Sequence, residues 1–292
     1  MKKTTELFRP QLVSDLFNKV KGKSALAVLS ASEPIPFTGT ELFTFSLDKE
    51  IDVVAEGGKK THGGLTLEPM SIRPIKVEYG ARVTDEFMFA ADESKIKILE
   101  AFNDGFSKKL AKGLDIMAFH GLNPRTGAAS DVIGTNHFDA KVTTTVKLDK
   151  SDPEAAIEAA IMAIRAADGD ISGMAMAPAL AAELAKLKVN GVKQFPELAW
   201  GADPGVINGL PVVVNNTVYT SASKGLAIVG DFESAFKWGF AKDVFFELIQ
   251  YGDPDNSGVD LKGYNQVYLR AEAYLGWGIL SAESFARILE AV

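Results

Sequence analysis

The chain has 292 residues, enough to bury a substantial core in one large or two smaller domains. With 47% hydrophobic and 24% charged residues it is not globally disordered, and no apolar run approaches the roughly 18 residues that span a bilayer. A net charge of −7 argues against a general nucleic-acid coat. The lack of cysteine excludes disulfides, thiolate nucleophiles and Cys-based metal sites, and makes a reducing compartment the default.

Residues 1–30 read as an arm. Met1-Lys2-Lys3-Thr4-Thr5-Glu6 has no apolar stretch behind it and is not a secretory signal. Lys2, Lys3, Arg9, Lys19, Lys21 and Lys23 outnumber Glu6 and Asp15, so the arm is basic. It fits a solvated terminus and a segment touching acidic partners equally well. Leu12, Val13, Leu16, Phe17 and Val20 mark a short amphipathic helix over residues 11–20, and Pro34 and Pro36 close the region.

Two strand-like arms follow, residues 43–56 and 65–79, around the tip Gly57-Gly58-Lys59-Lys60-Thr61-His62-Gly63-Gly64. At about 3.3 Å per residue each arm could reach roughly 45 Å, and a lone two-stranded ribbon is marginal in water. The faces of such a hairpin are expected to be buried by other chains. Its tip is not a phosphate loop, because Gly-x-x-x-x-Gly-Lys-Ser/Thr is absent and no helix follows.

The clearest helix spans residues 92–120, about 40 Å at 1.5 Å per residue. Ile96, Leu99, Phe102, Phe106, Leu110, Leu114 and Met117 form one apolar stripe. Gly105 and Gly113 weaken it by about 1 kcal/mol each relative to Ala. Beyond Gly121-Leu122-Asn123-Pro124-Arg125-Thr126-Gly127 a second unit alternates helices and strands. One helix opens at Ser151-Asp152-Pro153-Glu154, with Ser151 and Glu154 read as a capping box and Pro153 in the first turn. Another covers residues 178–188 and stops at Asn190-Gly191. Strands are expected at 173–177, 210–215, 226–229 and 244–250. Over residues 267–279 the odd positions Val267, Leu269, Ala271, Ala273, Leu275, Trp277 and Ile279 alternate with Tyr268, Arg270, Glu272 and Tyr274, a strand with one face in a core.

Motifs for chemistry are sparse. Asp253-Pro254-Asp255-Asn256-Ser257-Gly258 begins like a calcium loop, but Tyr264 stands where the bidentate Glu belongs, and a turn explains it better. His62, His120 and His137 show no metal-ligand spacing and read as surface or capping residues. Nucleophile-elbow, zinc-protease and dinucleotide motifs are absent. No cofactor, metal or catalytic residue is assigned.

An ordered set of short motifs carries a resemblance: Val54-Ala55-Glu56-Gly57-Gly58 and Leu67-Glu68-Pro69 around the hairpin tip, Val83-Thr84-Asp85-Glu86 before the long helix, and Asp115, Phe119 and Gly121 at its end. Gly209-Leu210-Pro211-Val212-Val213, Gly230-Asp231-Phe232 and Gly276-Trp277-Gly278-Ile279, with Ala282 and Phe285, complete it. The chain resembles the major capsid proteins of tailed bacteriophages, whose lambdoid shell fold is shared with encapsulins. The resemblance implies an α+β fold with an N-terminal arm (1–30), an extended hairpin loop (43–75), a peripheral domain (31–42, 76–127 and 256–292) and an axial domain (128–255). The peripheral domain holds the long "spine" helix. It implies a non-enzymatic structural protein of the virion, assembled in the host cytoplasm into pentamers and hexamers of an icosahedral head around double-stranded DNA held non-specifically. Portal and decoration proteins would be further partners, with no membrane involved. An encapsulin-type compartment is the alternative, and an unrecognised α/β enzyme is a more distant one. Relatives often carry a long cleaved scaffolding segment. With Met1 so close to the arm, a separate scaffold protein or scaffold-free assembly is expected. The inter-subunit hairpin residues would be Val54, Glu56, Gly57, Gly58, Lys59 and Lys60. Some relatives form a Lys–Asn isopeptide bond with the help of a Glu; the matching positions are Lys60, Asn265 and Glu272.

Overall fold

The computed structural model describes residues 24–89 and 92–291. The helix expected over residues 11–20 lies outside them. Helix α1 (Ala25–Leu29) leads to a hairpin of β1 (Thr40–Leu47) and β2 (Leu65–Ile72), then β3 (Ile75–Thr84), the short α2 (Glu86–Phe89) and the long α3 (Asp92–His120). After α4 (Phe138–Lys141) come β4 (Thr145–Lys147), α5 (Pro153–Ala166), β5 (Gly173–Met176), α6 (Pro178–Leu184), β6 (Lys188–Val189), β7 (Val192–Lys193), β8 (Val206–Ile207), β9 (Leu210–Val214) and β10 (Gly225–Gly230). The long strands β11 (Phe236–Ile249) and β12 (Gln266–Ile279), with β13 (Phe285–Leu289), end the chain.

The stripe on α3 buries Leu99, Phe106, Leu110, Leu114 and Met117, with Ile96 and Phe102 half-buried. Each buried side chain contributes about 1.5–3 kcal/mol. The stripe faces an antiparallel sheet ordered β11-β12-β3, where Phe246 meets Phe102 and Phe106 edge-on with centroids 6.3 Å away. Along β12 every odd position from Val267 to Ile279 is buried and Arg270, Glu272 and Tyr274 are half-buried, but Tyr268 on the other face is buried too. Trp277 donates from Nε1 to the Asn136 carbonyl at 2.9 Å.

Strand β11 is longer than the expected 244–250. Its first half is masked in the sequence by Lys237, Gly239 and Lys242, which interrupt the apolar run. Gly239 has a reason to be there. Residues 32–35 run alongside β11, with Glu33 N donating to Trp238 O at 2.9 Å and Ile35 N to Phe240 O at 3.1 Å. A Cβ at position 239 would fall 1.6 Å from the Glu33 carbonyl oxygen.

The second sheet is mixed, in the order β4-β13-β10-β5-β9-β8, and α5 and α6 pack against it through Ala160, Ile164, Leu180 and Leu184. Its member β13 pairs with β10 and β4, which carries the 256–292 stretch out of the three-stranded sheet. Within the first core Phe138 gathers rings from α3, β11 and β13, meeting Phe119, Phe236 and Phe285 at centroid distances of 5.6, 5.5 and 5.0 Å.

Two local readings change. The cap of α5 is Asp152, which accepts from Ala155 N at 3.2 Å, while Ser151 turns back to Asp149 at 2.7 Å. Pro153 does occupy the first turn. Helix α6 ends at Leu184, short of residue 188, and Asn190-Gly191 is the turn between β6 and β7. Both turn residues have positive φ, 51° and 84°, the conformation a two-residue hairpin turn requires.

Candidate assembly surface

The hairpin arms are shorter than the sequence reading. β1 and β2 pair from Thr40↔Ile72 to Leu47↔Leu65, and Arg73-Pro74 separates β2 from β3, which joins β12 instead. An edge strand tolerates a residue without an N–H, as β2 does at Pro69 opposite Phe43, but at Arg73-Pro74 the chain leaves β1 for a new partner strand. The root is fixed by Ile72, which is buried and packs against Gly278.

Between the strands lies a loop, residues 48–64. Asp48 closes its base by accepting from Gly64 N, and Thr61 donates to Asp52 at 2.8 Å. Gly58 N donates to Ala55 O at 2.8 Å in a tight turn where Gly57 has φ 78°. Glu56, Gly57, Gly58, Lys59 and Lys60 are all exposed. So are the apolar side chains before them: Ile51 is 96% exposed, Val53 94% and Val54 44%. Phe43, Leu65 and Leu67 continue the exposed apolar surface down the ribbon. A contiguous exposed apolar surface of this kind is the physical signature of an interaction site.

Within one chain the three residues matched to cross-linking stand apart. Lys60 is at the loop tip. Asn265 is exposed, with left-handed φ 53°, at the start of β12. Glu272 is seven residues further on, roughly 23 Å along the strand. Its carboxylate already takes Lys76 Nζ at 2.8 Å across the sheet. That hydrogen bond raises the Lys76 pKa above the ordinary lysine value.

The acidic turn at residues 253–258 holds a guanidinium. Arg82 donates to Asp253 Oδ1 at 2.8 Å, to Asp255 Oδ2 at 2.9 Å and to the Val259 carbonyl at 2.9 Å. Hydrogen bonding to Arg82 holds the Asp255 carboxyl well below the usual carboxylate range. Among the described residues no group of three His, Asp or Glu is placed to hold a metal, and no helix is long and apolar enough to cross a membrane.

Of the histidines, His62 is exposed at the loop tip. His137 sits at the N-cap of α4 without a side-chain cap bond, and burial lowers its pKa. His120 departs from a surface or capping role. It is buried, with Nδ1 at 2.6 Å from Asp139 Oδ2 and Nε2 at 2.8 Å from the Thr217 carbonyl.

The sequence reading passed over the function of Asp115. It is fully buried on α3 and accepts from Ser24 Oγ at 2.5 Å, Ala25 N at 2.9 Å, Leu26 N at 3.2 Å and Thr217 Oγ1 at 2.9 Å. Residues 24–29, at the end of the span read as an arm, are thereby locked into the core. Desolvation raises the Asp115 pKa to about 6, against the hydrogen bonds that lower it. The position lies beside the stripe, between the buried Ala111 and Ala118 on the same helix.

A long brace helix, two sheets and a projecting apolar hairpin define a structural, self-associating protein rather than one built around a pocket. The phage capsid family model matches residues 7–288, and the chain belongs to that family. The chain shares 32% identity with a chain from Mycobacterium phage Ogopogo, covering 92% of each at a TM-score of 0.76. A chain from Gordonia phage Cozz is 23% identical over 92% of this chain and 87% of that one, at a TM-score of 0.74. The same fold extends to the capsid of a native GTA particle, at 12% identity and a TM-score of 0.67, over 92% of this chain and 90% of that one. No curated protein matches. The protein is a major capsid protein of the virion, built to associate with copies of itself.

Proposed function

We propose that this protein forms the icosahedral head of a tailed phage or prophage, assembled in the host cytoplasm from pentamers and hexamers around double-stranded DNA. A separate scaffold and a portal are its expected partners. The observation that carries this reading is the hairpin: in a capsid-family chain, its exposed Ile51 and Val53 need a neighbour to cover them. The axial part would gather at the capsomer centres while the hairpin crosses to the next subunit. Heterologous contacts of this kind close into rings and shells. A chain of net charge −7 binds duplex weakly, which leaves a packaged genome free to move. Electron microscopy of the expressed protein should show closed shells or capsomers, and particles from the native source should protect duplex DNA from nuclease. A soluble monomer at high concentration, or shells filled with protein cargo, would overturn the reading.

The contact is proposed to be held by packing. In the covalent alternative Lys60 Nζ attacks the Asn265 side-chain carbonyl, ammonia leaves, and Glu272 accepts the lysine proton. The ion pair of Glu272 with Lys76 supports packing instead, since it occupies the base. A denaturing gel of mature particles should show monomer, and a covalent ladder abolished by Lys60→Arg would reverse this choice.

A further inference from the structure

We propose that the cleft between α1 and β9 is the receptor for the hairpin loop of a second copy, an assignment that rests on the shell reading above. The cleft holds about 490 Å³. Its wall includes Val28, the one apolar residue of α1 left exposed, together with Leu29 and Val213. Asp203 and Glu233, both exposed, stand among its lining residues, and among the described residues no Lys or Arg does.

The loop is the complement of this surface. Ile51, Val53 and Val54 supply aliphatic side chains, and Lys59 and Lys60 follow as an exposed cationic pair. Apolar contact supplies the adhesion, and the charges select orientation by attraction to Asp203 and Glu233. Main chain adds a third element of fit. β9 pairs with β5 along one side, whereas β8 reaches only Leu210 and Pro211 on the other. Val212 N still donates to Gly205 O at 2.9 Å on that side, and beyond Val212 no strand pairs with the outer side of β9 among the described residues, so an extended segment can bond there. A small ligand suits the cleft less well, because its charged groups share one sign and leave nothing to orient a compact polar molecule. Within one chain the loop's apolar residues stay exposed, so the occupant comes from another copy.

The lack of native cysteine makes the test clean. A variant carrying Val28→Cys and Val53→Cys is assembled, oxidised mildly and run on a non-reducing denaturing gel, beside each single variant. The expected result is loss of the monomer band to a ladder of covalent oligomers in the double variant alone. Closed shells that still yield only monomer would overturn the receptor assignment while leaving the shell reading intact. Failure of the unaltered protein to form shells would overturn the shell reading itself. Charge exchange gives a second readout if the cysteine pair impairs folding. Asp203→Lys with Glu233→Lys should lower shell yield, and adding Lys59→Glu with Lys60→Glu should restore it. No restoration would overturn the proposal.

Discussion

Strand β12 and the β1–β2 ribbon are both antiparallel and both rich in apolar residues, yet they are finished in different ways. On β12 a partner strand lies on each side, α3 covers one face, and alternate side chains from Val267 to Ile279 are sealed from water. On the ribbon, Phe43, Leu65 and Leu67 remain exposed, and the loop beyond them exposes Ile51 and Val53 almost completely. The first region satisfies its own hydrophobic demand. The second leaves that demand unmet within the subunit, and under the proposed function assembly would meet it.

This division can be broken most decisively at the loop. Replacing residues 48–64 by Asn-Gly joins the already paired Leu47 and Leu65 through a two-residue turn. Calorimetry should find a folded subunit with an unchanged melting temperature, and microscopy should find no shells. Loss of folding would show that the ribbon belongs to the core. In the sealed region, Trp277→Ala should cost about 3–5 kcal/mol in a urea titration, because it opens a cavity and leaves the Asn136 carbonyl without its donor. A cost below about 1 kcal/mol would mean that the site collapses freely.

Asp115 tests the same region through pH. Its native pKa of about 6 lies above the unfolded value of 3.8, so the native state binds the proton more tightly. Stability should be greatest below pH 4 as far as this group is concerned, fall as pH rises to about 6, and then level. The span corresponds to a contribution on the order of 3 kcal/mol. Subtracting the urea-derived profile of Asp115→Asn from that of the native protein should isolate this slope. A flat difference would place the charge in a more hydrated setting. The smallest effect is expected for Arg82→Lys. An ammonium cannot span Asp253, Asp255 and the Val259 carbonyl together, so limited proteolysis should nick residues 251–264 faster while melting changes little.

What the sequence could convey depended on how local the cause was. The stripe from Ile96 to Met117 and the alternation on β12 are periodic, and both elements follow them closely. The hairpin is legible in its glycine tip, but its returning arm reads as continuous because Pro74, where the strand changes partner, looks no different in the sequence from Pro69, which lies inside β2. Non-local causes stayed hidden. Nothing near residues 24–29 announces that Asp115, ninety residues on, will bind their backbone. Similarly, the calcium-like turn discloses its guanidinium only when β3 brings Arg82 alongside. For the candidate cross-link residue Glu272, the hidden partner is Lys76, which the register of β3 on β12 sets opposite Tyr274 and so diagonally beside the Glu272 carboxylate.

That register also imposes an order of events on the nascent chain. The ribbon joins Thr40 to Ile72, a short span, whereas Ile75 pairs with Leu275, a separation of 275 − 75 = 200 residues. Contacts so distant are slow to form. The hairpin can close early, before β12 exists to root it, and the segment proposed to meet neighbours is then presented by a body still unfolded. Under the proposed function, intramolecular closure then competes with premature capture by other chains, and the balance shifts toward capture as chain concentration rises.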